Sequence, residues 1–207
     1  ASPLKLALES LACVAFGVAV RRLETAIGLG FLLAVAVVLR ALLLPLPPTL
    51  SDDTLRYAWD GRVVSAGFNP YLLAPEDAIL TELRDDRWRV MPHKEVPTVY
   101  PPLALGLFAA GSWMPDPVWG IKILLVFTDL LACALLFALE RRIGAPPGRA
   151  AWYAWNPLVV LEVAGQGHVD ALMVAAMVAT VLLMAQRRPA WAGLAAAAGP
   201  AAKLVPL

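Results

Sequence analysis

Charge is scarce in this chain. Asp, Glu, Lys and Arg make up 16% of its 207 residues, against roughly a quarter in a soluble domain. The formal net charge is +1 and the basic residues sit in short clusters rather than along one stripe, which excludes nucleic acid as a partner. Cysteine is scarce too. Cys13 and Cys133 both lie inside apolar runs, where a free thiol behaves as a small hydrophobe and says nothing about redox compartment. No small-residue cleavage site separates the first apolar run from Arg21, so that run is expected to stay in the membrane rather than be removed. Internal repeats and low-complexity segments are missing.

What the chain has instead is apolar length. Sixty percent of the residues are hydrophobic and the mean hydropathy is +0.70, which makes a bilayer the expected solvent. A spanning helix needs about 20 predominantly apolar residues. Runs over 3–20, 25–44, 118–139, 150–164 and 171–185 qualify, and a sixth begins at Ala190 and is still running at Leu207. The expected fold class is therefore all-α: a polytopic transmembrane bundle of about six spans, one module over 1–207. Because the chain stops inside a hydrophobic segment, it is expected to be part of a longer protein.

A shorter run over 100–114 is bounded by Pro101–Pro102 and by Pro115-Asp116-Pro117. About 15 residues do not cross a bilayer, so it is expected to be re-entrant or interfacial. Basic residues collect on the cytoplasmic side. With the short run not crossing, the clusters Arg21–Arg22, Arg141–Arg142 with Arg149, and Arg187–Arg188 all share that side. Residues 45–117 then form a long external loop. Asp52, Asp53, Asp60, Tyr100, Glu162, His168 and Asp170 gather at the non-cytoplasmic face, with Lys203 approaching it. Trp119, Trp152, Trp155 and Trp191 fall near predicted span ends, where interfacial aromatics belong.

Within the loop, Ser51 is a cap for a helix running to about Val64. Leu55, Trp59 and Val63 recur every four residues, the pattern of an amphipathic helix lying on the membrane. Gly67 and Asn69–Pro70 end it. A second polar helix is expected over 75–90.

Several polar groups carry two readings each. Asp52–Asp53 are ordinary first-turn acids, ligands for a divalent cation, or a general base with its pKa set by its neighbour. His168 and Asp170, in Gly165-Gln166-Gly167-His168-Val169-Asp170, form a plain polar turn or a site for metal or a hydroxylated substrate, the glycines letting backbone approach a ligand. Arg40 and Lys203 either snorkel or hold a phosphate head group. Lys122 and Asp129 lie seven apart on one helix face, but about 10 Å separates them, which argues against their pairing. Tyr100-Pro101-Pro102 reads as a helix start, and Asn156–Pro157 as a kink within the fourth run.

Taken in order, Ser51-Asp52-Asp53 through Arg56-Tyr57-Ala58-Trp59-Asp60-Gly61-Arg62, Gly67-Phe68-Asn69-Pro70-Tyr71, Thr98-Val99-Tyr100-Pro101-Pro102, Trp155-Asn156-Pro157-Leu158 and Gly167-His168-Val169-Asp170-Ala171-Leu172 span most of residues 50–175. The set resembles the N-terminal portion of GT-C class polytopic glycosyltransferases, especially the bacterial polyprenyl-phosphate-mannose-dependent mannosyltransferases of the family 87-like type. The resemblance implies a lipid-phosphate sugar donor entering from the bilayer, a glycan or glycolipid acceptor, and a loop acid as catalytic base or acceptor-binding group in a bacterial plasma membrane, facing outward. Asp53 is the first choice for that base and Asp52 the second. Arg62, Lys203 and Arg40 are the cations to hold the leaving phosphate, and Tyr100, His168 and Asp170 complete the substrate-binding set. The leaving group is already activated, so no cofactor is required, although the acids leave room for a divalent cation. One base without a nucleophile pair implies inversion at the anomeric carbon. The rival expectations are a transporter or flippase using Lys122, Asp129 and His168 along a path, and a scaffold subunit without chemistry.

Overall fold

A computed structural model of the chain describes residues 16, 17, 20 and 27–204. Almost all of the first expected span, with Cys13 and the Arg21–Arg22 cluster, lies outside them. Among the described residues the regular elements are all helices, with no strand. In chain order they form α1 (Leu29–Leu43), α2 (Asp53–Ser65), a 3-10 turn (Ala78–Leu83), α3 (Asp86–Val90), α4 (Pro102–Gly111) and α5 (Pro117–Ile143). After these come α6 (Ala151–Ala154), α7 (Pro157–Val160), a π turn (Leu161–Gly165), α8 (Asp170–Ala185) and α9 (Pro189–Ala202).

The 27 residues of α5 make it the one described helix that is long and apolar enough to cross a membrane. At 1.5 Å per residue it measures about 40 Å. Its ends are set locally. The Asp116 carboxylate accepts from the backbone N–H groups of Val118 and Trp119 at 2.9 and 3.3 Å, Pro117 takes the first turn, and Gly144 closes the last at φ 65°. The expected spans over 25–44 and 171–185 and the one beginning at Ala190 become α1, α8 and α9, with 15, 16 and 14 residues. Each measures about 21–24 Å, short of the roughly 30 Å hydrocarbon core. Among the described residues α5 is therefore the one helix of full spanning length, and the expectation of about six spans is not confirmed. Large apolar side chains nonetheless stand exposed along all four helices, among them Phe31, Val38 and Leu42, Phe127 and Leu131, Met177 and Val181, and Leu194.

Three further expectations are corrected. The fourth run is not one helix: Pro157 has no N–H to continue α6, and Asn156 turns outward to cap α7, accepting from Leu158 N at 2.9 Å. The 75–90 helix is divided because Asp85 accepts from Trp88 N at 2.9 Å and starts a new helix there. Trp155 is buried rather than interfacial, donating its indole N–H to Leu32 O at 3.0 Å.

The helix α2 begins where Ser51-Asp52-Asp53 places it, with Ser51 Oγ accepting from Asp53 N at 3.2 Å. It does not lie on a surface. Tyr57 and Ala58 join Leu105, Phe108, Ile121 and Leu125 in one core, while Trp59 and Val63 join Leu80 and Met91 in another. Its polar face is satisfied internally. Arg56 donates to Asp60 Oδ1 (2.9 Å), His93 O (2.8 Å) and Val96 O (2.9 Å), and Asp60 accepts from Thr98 Oγ1 at 2.6 Å. At Gly61 the backbones of α2 and α4 meet: a Cβ there would stand 2.3 Å from Phe108 O. Only glycine permits that approach.

Candidate active site

The acidic pair is held by its loop. Lys122 of α5 donates to Leu44 O and Leu46 O at 2.8 and 2.6 Å, and Gln166 Oε1 accepts from Thr49 N and Leu50 N at 3.0 and 2.8 Å. These four bonds fix the chain between the end of α1 and the start of α2. Asp53 then occupies the first turn of α2, where the positive end of the helix dipole favours a carboxylate.

Facing it is the chain that leaves the π turn. Backbone His168 N donates to Glu162 O at 3.0 Å, and Gly167 takes φ 75°. A Cβ at Gly167 would lie 2.7 Å from Thr54 Cγ2 and 2.9 Å from Lys122 Cγ, so this turn sits directly against α2 and α5. His168 Nδ1 is 2.6 Å from Glu162 Oε2, and its Nε2 is 4.0 Å from Asp53 Oδ2. That Nε2 is buried and has no hydrogen-bond partner.

Two clefts meet at the acids. One of about 180 Å³ is walled by Asp52, Asp53, Arg56, Val96, Pro97 and Tyr100. The other, about 320 Å³, is walled by Leu46, Asp52, Leu55, Arg87, Trp119 and Lys122. Tyr100 packs edge-on to Tyr57, with ring centroids 4.9 Å apart, and Tyr57 stacks on Phe108 at 4.4 Å. Burial first, and then the nearby Asp53 carboxylate, pushes the Tyr100 hydroxyl up to about 12. Burial, with Tyr100 and Asp53 beside it, raises Tyr57 as well. Both phenols stay protonated at neutral pH and can donate. Asp60 is also raised, by burial, against the opposing pull of Arg56 and Thr98.

Of the residues singled out in the sequence, Asp52, Asp53, Tyr100 and His168 are brought together. Asp170 stands two residues from His168 but pairs with Lys203, whose Nζ is 2.7 Å from each carboxylate oxygen. Arg62 is turned to Asp85 in a two-pronged pair at 2.8 and 3.1 Å. Burial raises Asp85, but Arg62 and the Trp88 N–H outweigh it and hold the carboxyl below its usual value. Arg40 lies fully buried, 2.5 Å from Asp129, and also donates to Ala36 O and Ala154 O. Tyr153 OH donates to Asp129 at 2.6 Å. Lys122 and Asp129 thus take separate partners.

Sequence reasoning grouped Glu162 with Asp53 and His168 without giving it a task, and it gave none to Gln166. The Gly-Gln-Gly stretch was the available signal, since a polar residue between two glycines in an apolar run demands a partner. Among the described residues, no three His, Cys, Asp or Glu side chains cluster as a metal-binding group.

Residues 6–207 match the family model described as alpha-(1->6)-mannopyranosyltransferase, N-terminal domain. The chain belongs to this mannosyltransferase family. No curated protein and no solved structure matches it. Family membership supports a glycosyltransferase.

Proposed function

We propose that the chain is the amino-terminal part of a multi-pass membrane mannosyltransferase. It moves mannose from a polyprenyl-phosphate donor to a glycan or glycolipid acceptor at the non-cytoplasmic face, forming the α-(1→6) bond of the family's description. The observation that carries this reading is the placement of Asp53, in a member of a mannosyltransferase family, at a helix N-terminus on a cleft edge and against His168.

In the reaction, the acceptor oxygen attacks the anomeric carbon as the bond to the phosphate oxygen breaks. The phosphate leaves with the electron pair, and the acceptor's proton passes to the Asp53 carboxylate. Asp52, which borders both clefts, orients the acceptor, and Tyr100 donates to a sugar oxygen. Phosphate is already a good leaving group, so the step needs no metal ion. A single base without a second carboxylate across the cleft gives inversion.

The groove between α8 and α9 supports a lipid donor. It has a volume of about 530 Å³, its walls include Met173, Met177, Val181 and Pro200, and Lys203 lies at its edge. Apolar walls suit an isoprenoid chain, and the ammonium suits its phosphate, which would compete with Asp170 for Lys203. The separate commitments of Arg40 and Arg62 leave Lys203 as the first cation for that task.

The test uses the full-length protein with polyprenyl-phosphate mannose and a synthetic α-mannoside. Asp53→Asn is expected to lower kcat at least about 100-fold, the usual scale of general-base loss, with Asp52→Asn less affected. The product should carry the anomeric configuration opposite to that of the donor. Wild-type transfer by both variants, or retention of configuration, ends the mechanism.

A further inference from the structure

The buried Nε2 of His168 is left without a partner, while the same ring's Nδ1 lies 2.6 Å from Glu162 Oε2. A buried polar atom without a hydrogen bond is costly and calls for an explanation. Glu162 supplies the first half of it. An ionised carboxylate can only accept, so at 2.6 Å the proton of a neutral imidazole sits on Nδ1, and Nε2 presents a lone pair. The group opposite, Asp53 Oδ2, is also an acceptor when ionised. Two acceptors have nothing to share, which accounts for their standing 4.0 Å apart with neither atom bonded to the other.

Protonation of Asp53 changes the chemistry of this gap. An Asp53 O–H can donate to Nε2 once the two close from 4.0 Å to hydrogen-bond distance, and that bond exists only after the proton has arrived. We propose that His168, oriented by Glu162, is a positioning residue that acts through Asp53: it receives the hydrogen bond of the protonated carboxyl, and can take the proton onward as imidazolium against Glu162. The inference rests on the reading of Asp53 as the base. Its balance is simple. The acceptor hydroxyl loses its proton to Asp53 as the new glycosidic bond forms, the phosphate departs with the electron pair of the broken bond, and the proton is then held between Asp53 Oδ2 and His168 Nε2.

An interaction absent from the resting state and present once the base is loaded stabilises the transition state and leaves ground-state binding alone. It should therefore act on kcat and spare KM. The backbone is built for this contact. The π turn carries an extra residue in its turn, a feature frequent at functional sites. Together with Gly167 at φ 75°, it lets Glu162 and His168, six residues apart, face each other and α2 at once.

The experiment measures transfer by the full-length protein with polyprenyl-phosphate mannose and a synthetic α-mannoside, comparing His168→Ala, Glu162→Gln and Asp53→Asn. His168→Ala is expected to lower kcat about 100-fold with KM for both substrates within about threefold, and added imidazole should restore at least about tenfold. Glu162→Gln, which keeps His168 in place, should lower kcat about tenfold, again sparing KM. The Gln variant stands in should His168→Ala fail to fold, and unchanged kcat there overturns the proposal. Wild-type kcat in His168→Ala, or a folded His168→Ala that imidazole does not rescue, overturns it as well. If those results accompany an inactive Asp53→Asn, the relay fails while the base stands. Wild-type transfer by Asp53→Asn removes the base and the relay together.

Discussion

The Arg40–Asp129 pair shows how differently a single residue reads in sequence and in structure. Lys122, on the same helix face as Asp129, stands too far along it to pair, and the partner of Asp129 comes from 89 positions away. No local pattern encodes that distance. Both side chains are essentially without solvent, and Arg40 also bonds Ala36 O and Ala154 O, so the pair joins α1, α5 and α6. Removing one partner strands the other as a buried charge, which costs about 3–5 kcal/mol. Asp129→Asn should therefore lower thermal stability of the full-length protein sharply, while Arg40→Met with Asp129→Leu should recover most of it, as followed by thermal unfolding in detergent. Asp53 contrasts with this. Its start-of-helix position could be read from Ser51-Asp52-Asp53, because that signal is local.

Elements were legible where their ends are written in capping residues. The helix α5 begins at Asp116-Pro117 and ends at Gly144, close to its expected bounds, and α2 starts one residue from its expected cap. Hydropathy alone misled where a polar side chain could compete for the backbone, as at Asp85 and Asn156. The burial of α2 was not legible either, since its Arg56 and Asp60 look like a solvent face until His93 O, Val96 O and Thr98 are seen to satisfy them. The contact at Gly61 gives this packing a direct check. Gly61→Ala sets a methyl 2.3 Å from a backbone oxygen that cannot rotate away, so α2 and α4 must part. The expected loss is about 1–3 kcal/mol, seen as a lower unfolding temperature, and transfer activity should fall as the acids shift.

At the scale of the molecule, the apolar surfaces of α1, α5, α8 and α9 fit a lipid solvent, and the ten residues of α4, about 15 Å, are too few to cross it. The proposed arrangement, with α4 on the outer face, makes a plain prediction. In the full-length protein in oriented vesicles, Met114→Cys should react with an impermeant thiol reagent added outside. Reaction from the cytoplasmic side alone would invert the assignment of the face.

The π turn at Leu161–Gly165 has a further meaning when viewed as an edit to the gene rather than as a shape. A π turn is an α-helical turn with one residue inserted, so the meeting of Glu162 with His168 depends on the count of residues between Pro157 and Gly167 as much as on their identities. Loss of the codon for Val163 or Ala164 would keep Glu162 and His168 yet rotate the residues after it by about 100° about the helix axis. The arrangement could be reached by insertion and lost by deletion, routes that a survey of point substitutions never samples.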